Sequence, residues 1–261
     1  MQLAESPHFI LAIDHRKWFE DQPGATPGII SEFKAAVVRA ALESLPPADV
    51  SQVGFILDHQ YGGAAMTAAS QRRVWTAEPV EQSGVFPLAL LDAPRRWLEQ
   101  RPADRITKVL VFDPDEGQAR VLQSLQDACE QLGRRYLLEV VVRKGDLGQS
   151  VDFLSQSGLR PHWWKVAAGP GLARVQAAAE SSAHCRGVLL LGGGESIEAL
   201  HAGWAALSGP VAGCAVGRSL FGDPFLAHLA GLPLPEAAGQ VAQNFRKLRA
   251  GFPLPVGRQT G

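Results

Sequence analysis

Arg160-Pro161-His162-Trp163-Trp164-Lys165-Val166-Ala167-Ala168-Gly169 reads as a short buried strand, stopped by Pro161 on one side and by Gly169-Pro170 on the other. It carries one lysine, Lys165. Burying an ammonium away from water is unfavourable unless the group is paired or working. Burial also favours the neutral amine, which is a nucleophile toward carbonyl carbons. The plainer alternative is a lysine at a strand end, its stem on apolar surface and its head in water.

Outward from this stretch the chain repeats one unit. Phe9–Ile13 reads as a first strand and ends on Asp14-His15-Arg16. Ile29–Leu45 has helical spacing, with Phe33, Val37, Ala41 and Leu45 on one face. Val53–Leu57 reads as the second strand, ending on Asp58-His59-Gln60-Tyr61-Gly62-Gly63. Val85–Leu91 is a weaker third, and Thr76–Gly84 is left as an added loop. Lys108–Phe112 is the fourth, and Ala119–Leu132 the helix after it, with Gly133 as its stop. Tyr136–Val142 is the fifth, Trp163–Ala167 the sixth, Gly187–Leu191 the seventh and Val211–Val216 the eighth. Pro235–Leu248 reads as the closing helix.

Eight strand–helix units in 261 residues predict a closed (β/α)8 barrel, the TIM-barrel form of the α/β class. Residues 1–252 form that single domain, and 253–261 have the composition of a tail. A doubly wound open sheet is the alternative, but no GxGxxG follows the first strand. The net charge of -1 points to no nucleic-acid or membrane surface. No basic segment precedes an apolar run at the N-terminus, and no apolar run reaches membrane-spanning length. Cys129, Cys185 and Cys214 lack CxxC spacing and read as thiols of a reducing compartment, with the cytoplasm as the expected location. The composition is compatible with a monomer or a homo-oligomer.

In such a barrel the active site lies at the C-terminal strand ends. Those ends carry Asp14, Arg16, Asp58, His59, Asp113, Arg143, the Gly192–Gly194 run and Arg218. Three charges also lie inside apolar strands four, five and six: Lys108, Glu139 and Lys165. As structural ties they are costly, since apolar replacements often serve as well. As a catalytic set, a Lys108 cation would lower the pKa of Lys165, and Glu139 would shuttle protons. Gly192-Gly193-Gly194-Glu195-Ser196 opens a helix, so its backbone N–H groups are available to an anion. Gly217-Arg218 adds a guanidinium at the next strand, in the loops where this fold usually binds phosphate.

These pieces resemble the lysine-dependent (class I) aldolases. The resemblance is to the 5-dehydro-2-deoxyphosphogluconate aldolase type of myo-inositol catabolism, and more distantly to tagatose-1,6-bisphosphate aldolase. It is carried by Leu11-Ala12-Ile13-Asp14-His15-Arg16, Asp58-His59-Gln60-Tyr61-Gly62, Lys108–Phe112, Leu138-Glu139-Val140, Trp163-Trp164-Lys165 and Ala215–Pro224. It implies a Schiff base on Lys165, proton transfer assisted by Lys108 and Glu139, and Asp14 beside the reacting carbons. It implies a phosphate held by Arg218 and the Gly193 region, with Arg16, Gly194 and Gly217 completing the substrate contacts. The implied substrate is a phosphorylated keto-sugar acid, the products dihydroxyacetone phosphate and malonate semialdehyde, and no cofactor or metal is called for. Either Glu139 or Asp14 would take the hydroxyl proton. Val166-Ala167-Ala168 after Lys165 and Phe112-Asp113 depart from the family's pattern, which bears on substrate identity. Two rivals are a metal-dependent lyase or hydrolase using His15 and His59, and a sugar-phosphate sensor without turnover. The first lacks a third histidine at a comparable strand end, and the second lacks an added interaction domain.

Overall fold

A computed structural model describes residues 7–207, 209 and 211–252. The tail expected at 253–261 lies outside the described residues. In chain order the first half holds β1 (Phe9–Ala12), α1 (Arg16–Glu20), α2 (Pro27–Glu43), β2 (Val53–Ile56), α3 (Gly63–Gln71), β3 (Trp75–Pro79), α4 (Pro94–Glu99) and β4 (Ile106–Phe112). There follow α5 (Glu116–Gln131), β5 (Tyr136–Val141), α6 (Leu147–Gln156), β6 (Trp163–Ala167), α7 (Leu172–Glu180) and β7 (Val188–Leu191). The last elements are α8 (Ile197–Ala205), β8 (Gly213–Val216), α9 (Arg218–Leu229) and α10 (Leu234–Gly251). The eight strands pair in parallel in sequence order, and β8 returns to β1 to close the (β/α)8 barrel.

The helices begin where side chains can satisfy free N–H groups. Thr26 caps α2 by accepting from the Ile29 N–H at 3.3 Å, with Pro27 at the first helical position. Asp115 caps α5 in the same way through the Gln118 N–H at 2.8 Å. Gly133, at φ +60°, stops α5 as the sequence predicts.

Strand alternation splits the core in two. One set, including Phe9, Leu11, Phe55, Val109 and Leu138, packs outward beneath the helices. The other, including Ile10, Ile56, Trp75, Ile106, Leu137, Trp163 and Leu189, fills the barrel. Trp75 and Trp163 meet edge-to-face at 5.6 Å and form its apolar floor. Gly54 stands opposite Trp75 in the register, and a Cβ there would come within 2.7 Å of the indole.

The third strand corrects the sequence reading. It is Trp75–Pro79, overlapping the Thr76–Gly84 stretch assigned to a loop, and Val85–Leu91 is not a strand. Glu78 hides the pattern: it faces outward, is buried, and pairs with Arg101 at 3.2 Å and Arg105 at 3.8 Å. Residues 80–91 instead fold back on themselves. Leu91 N–H donates to Val80 O and Gln82 N–H to Ala89 O, both at 2.8 Å, with Glu81 and Leu90 in an antiparallel bridge.

A second buried pair ties a helix to a strand end. Lys34 of α2 and Asp58, after β2, are both fully buried and hydrogen-bonded through Nζ and Oδ2. The ammonium also lies 4.9 Å from the centre of the Phe19 ring. Asp58 Oδ1 accepts from the Tyr61 N–H at 2.7 Å, which fixes the loop after β2. Lys34→Met leaves the Asp58 carboxylate buried without its cation and lowers unfolding stability by about 3–5 kcal/mol in urea titrations. Lys34→Met combined with Asp58→Asn removes both charges, and recovers most of that loss.

Candidate active site

Alternation places Lys108 of β4, Glu139 of β5 and Lys165 of β6 on the inward face, above the tryptophan floor. The register sets Glu139 directly beside Lys165. Lys165 Nζ lies 2.9 Å from Glu139 Oε1, and Lys108 Nζ lies 3.1 Å from Glu139 Oε2. Lys108 also meets Asp14 Oδ2 at 3.2 Å, from the end of β1, and Glu81 Oε1 at 2.8 Å, from beyond β3. Arg16 Nη2 approaches Glu81 Oε1 at 3.6 Å. Three cations and three carboxylates thus form one continuous cluster. Lys108, Lys165 and Arg16 are each 3% exposed.

The cluster sets its own protonation. Burial alone would lower the pKa of Lys108, but Asp14, Glu81 and Glu139 outweigh it and raise the value, so this lysine stays a cation. Burial would raise Asp14, yet Lys108, with His15, Lys165 and Arg16, drives it well below the carboxylate range. Glu139 is likewise lowered, with Lys165 and Lys108 overcoming the burial penalty. The expected repulsion between the two lysines is met differently from the sequence reading: Glu139 stands between them. The point where carboxylates of Asp14, Glu81 and Glu139 converge is filled by the Lys108 ammonium. Among the described residues, no His, Cys, Asp or Glu group is arranged to hold a metal ion.

Gly193, Gly194, Gly217 and Arg218 gather on the β7–β8 side of the mouth. Gly193 and Gly194 adopt φ +60° and +92°, conformations that favour glycine. Ser196 then caps α8 by accepting from the Ala199 N–H at 3.1 Å. Arg218, exposed at the start of α9, donates through Nη2 to Gly193 O at 3.3 Å. A Cβ on Gly217 would stand 2.4 Å from His15 Cε1 and 2.6 Å from Ala12 O, so this turn can pass β1 only as glycine. Two helix N-termini and one guanidinium therefore face the same edge of the barrel, a geometry suited to an anion.

A cavity of about 210 Å³ opens on the Lys108 side of the cluster, and neither Lys165 nor the Gly193–Arg218 group lines it. Asp14, Arg16, Glu81, Lys108 and Glu139 line it, with Phe86 and Phe112 toward the rim. Other strand-end residues singled out in the sequence do not join. Asp58 is held by Lys34, His59 Nδ1 lies 3.7 Å from Glu78, and Asp113 pairs with Arg143 at 3.1 Å. Sequence reasoning missed Glu81 because it missed β3. Two residues after Pro79, Glu81 would have been a strand-end charge like the others.

The sequence matches the family described as "Uncharacterized protein conserved in bacteria (DUF2090)" over residues 3–252. No curated protein matches the chain. Among solved structures, 3-keto-L-gulonate-6-phosphate decarboxylase from Vibrio cholerae is 12% identical, with a TM-score of 0.44, covering 93% of this chain and 99% of that one. Orotidine 5'-phosphate decarboxylase from Pyrococcus horikoshii is 11% identical, with a TM-score of 0.45, covering 91% of this chain and 98% of that one.

Lys108→Met removes the cation shared by Asp14, Glu81 and Glu139. Asp14 and Glu139 have folded-state pKa values below their unfolded ones. Their contribution to stability is present above the unfolded value of about 4 and is lost as pH falls through the folded ones. The variant loses that contribution, so its deficit is about 3–5 kcal/mol near neutral pH. The deficit shrinks below about pH 4, as protonation removes the unpaired charges. Urea unfolding at both pH values measures it; an equal deficit at both contradicts the charge assignment.

Proposed function

The chain belongs to the DUF2090 family, and from the chemistry of its barrel mouth we propose that it is a Schiff-base-forming class I aldolase. Its substrate is a phosphorylated keto-sugar acid of the 2-deoxy-5-keto-gluconate 6-phosphate type, cleaved to dihydroxyacetone phosphate and malonate semialdehyde. The observation that carries this reading is the Lys165–Glu139–Lys108 bridge, 2.9 and 3.1 Å on its two sides, buried at the C-terminal mouth of the barrel.

The two lysines flank Glu139, and their partners divide the work. Lys108 faces three carboxylates and keeps its proton. Lys165 has one ion-pair partner among the described residues, Glu139, which is placed to take a proton from it. The neutral Lys165 amine attacks the substrate ketone, a C–N bond forms, and the oxygen leaves as water with protons relayed through Glu139. The iminium then accepts the electron pair of the adjacent C–C bond as that bond breaks. The hydroxyl on the departing carbon loses its proton and becomes the aldehyde. The remaining enamine takes a proton at carbon, and water releases the ketone and restores Lys165.

The phosphate end is held by Arg218 with the Gly193–Gly194 backbone, away from the bond that breaks. Such contacts position the substrate and act in the ground and transition states alike. Arg218 opens α9, and Ser196 opens α8 close by, so the backbone N–H groups of two first turns add to the guanidinium charge.

Borohydride reduction in the presence of dihydroxyacetone phosphate, followed by mass mapping, is expected to label Lys165 and no other lysine. Lys165→Arg abolishes both labelling and turnover, because a guanidinium does not form the imine. A label on Lys108, or an active Lys165→Arg variant, refutes the mechanism. Arg218→Ala is expected to raise KM about tenfold or more, with a much smaller change in kcat in steady-state assays.

A further inference from the structure

Retro-aldol cleavage needs a base for the hydroxyl proton on the carbon that departs as aldehyde. Such a base requires an oxygen not already spent on a protein donor, on a residue that lines the cavity. Three carboxylates surround Lys108, and their oxygens are not equivalent.

Glu139 has both oxygens engaged, Oε1 by Lys165 at 2.9 Å and Oε2 by Lys108 at 3.1 Å. Asp14 gives Oδ2 to Lys108 at 3.2 Å, and its Oδ1 lies 3.7 Å from His15 Nδ1, outside hydrogen-bond distance. Its cationic neighbours also leave it a weak proton acceptor. Glu81 differs. Its Oε1 accepts from Lys108 at 2.8 Å, whereas its Oε2 is buried with no hydrogen-bond partner among the described residues. Glu81 lines the cavity and is 5% exposed. An unpartnered carboxylate oxygen in such a site is costly to maintain without a ligand donor to meet it.

The backbone holds this oxygen in place. Glu81 sits in the antiparallel bridge with Leu90, flanked by the Val80–Leu91 and Gln82–Ala89 hydrogen bonds at 2.8 Å. Gln118 on α5 pins the same fold-back by accepting from the Leu88 N–H at 3.3 Å while donating to Phe112 O at 3.2 Å. Arg16, whose Nε also lacks a partner among the described residues, lines the cavity beside Glu81. A hydroxyl donor meeting Glu81 and an anionic group meeting Arg16 would complete both.

We propose that Glu81 is the catalytic base that takes the substrate hydroxyl proton during C–C cleavage, and that Glu139 serves the lysine nitrogen. This inference rests on the aldolase reading. In the step, the O–H bond breaks with its proton passing to Glu81 Oε2, and its electron pair becomes the second C–O bond of the aldehyde. The C–C pair moves toward the iminium, giving the neutral enamine. No oxidant or reductant takes part.

The test compares wild type and Glu81→Gln in two assays. One is borohydride trapping with dihydroxyacetone phosphate, and the other is cleavage of 2-deoxy-5-keto-gluconate 6-phosphate. Gln keeps an oxygen for Lys108 but cannot take the proton. The expected result is trapping at the wild-type level with cleavage slowed about 100- to 10,000-fold. In Glu81→Ala, added formate is expected to restore part of the cleavage rate, which a purely structural role would not give. Cleavage by Glu81→Gln within about threefold of a trapping-competent wild type overturns the assignment and leaves the aldolase reading standing. Loss of trapping in Glu81→Gln means that Glu81 holds the lysines and not the substrate, and also overturns it. A wild type that neither traps nor cleaves removes the aldolase reading, and this inference with it.

Discussion

Glu139 between two ammonium groups is the interaction on which the site depends. Its two oxygens reach Lys165 and Lys108 at 2.9 and 3.1 Å inside the barrel. Carrying such charges out of water costs several kcal/mol per ion, and their attraction offsets this only when each is well paired. The cluster meets that condition by alternating sign from Lys165 through Glu139 to Lys108, and on to Asp14 and Glu81. Remove Glu139 and Lys165 loses its one ion-pair partner among the described residues. That makes the arrangement a poor choice for mere stability.

The rest of the barrel supports it by separation. Trp75 and Trp163 form an apolar floor beneath the charges, and Gly54 leaves room for the Trp75 ring. Above that floor the inward positions become Lys, Glu and Lys, while outward positions on the same strands stay apolar beneath the helices. The buried Lys34–Asp58 pair performs a different task outside the barrel, where it fastens α2 to the loop after β2. These two buried ion-pair systems thus have different geometries. One is closed, with its ammonium sealed between a carboxylate and aromatic rings. The other opens on a cavity and carries atoms on Glu81 and Arg16 with no hydrogen-bond partner among the described residues.

Strands with an unbroken apolar run were legible in the sequence, and so were the inward lysines and Glu139, because a charge inside such a run stands out. Trp75-Thr76-Ala77-Glu78-Pro79 was not legible. Its Glu78 is neutralised by Arg101 and Arg105, which lie far along the chain and meet it only after folding. Val85–Leu91 has the better strand composition, yet two of its apolar residues, Val85 and Phe86, are exposed at 42% and 57% beside the cavity. Lys34 carried a signal that helical spacing could have revealed. It is four residues after Ile30 and four before Val38, within the buried stripe of α2. The pairing of Arg218 with Gly193 was foreshadowed by the order of the glycine-rich strand ends. Which oxygen of which carboxylate is free, however, depends on distances set by three strands at once, and no sequence pattern encodes it.

Charge conservation links the proposed chemistry to the cost of the cluster. An iminium on Lys165 carries the same single positive charge as the ammonium it replaces, so the alternation of sign survives covalent attachment of substrate. Cleavage then turns the iminium into a neutral enamine. If the hydroxyl proton moves at the same time onto a carboxylate of the cluster, one positive and one negative charge vanish together. In a site from which water is largely excluded, that joint loss avoids leaving an uncompensated ion, which would cost several kcal/mol. A proton sent instead to bulk water would leave the carboxylates one charge in excess at the moment the bond breaks. The buried cluster therefore favours proton transfer within itself, and Lys108, which keeps its proton throughout, holds the remaining carboxylates in place.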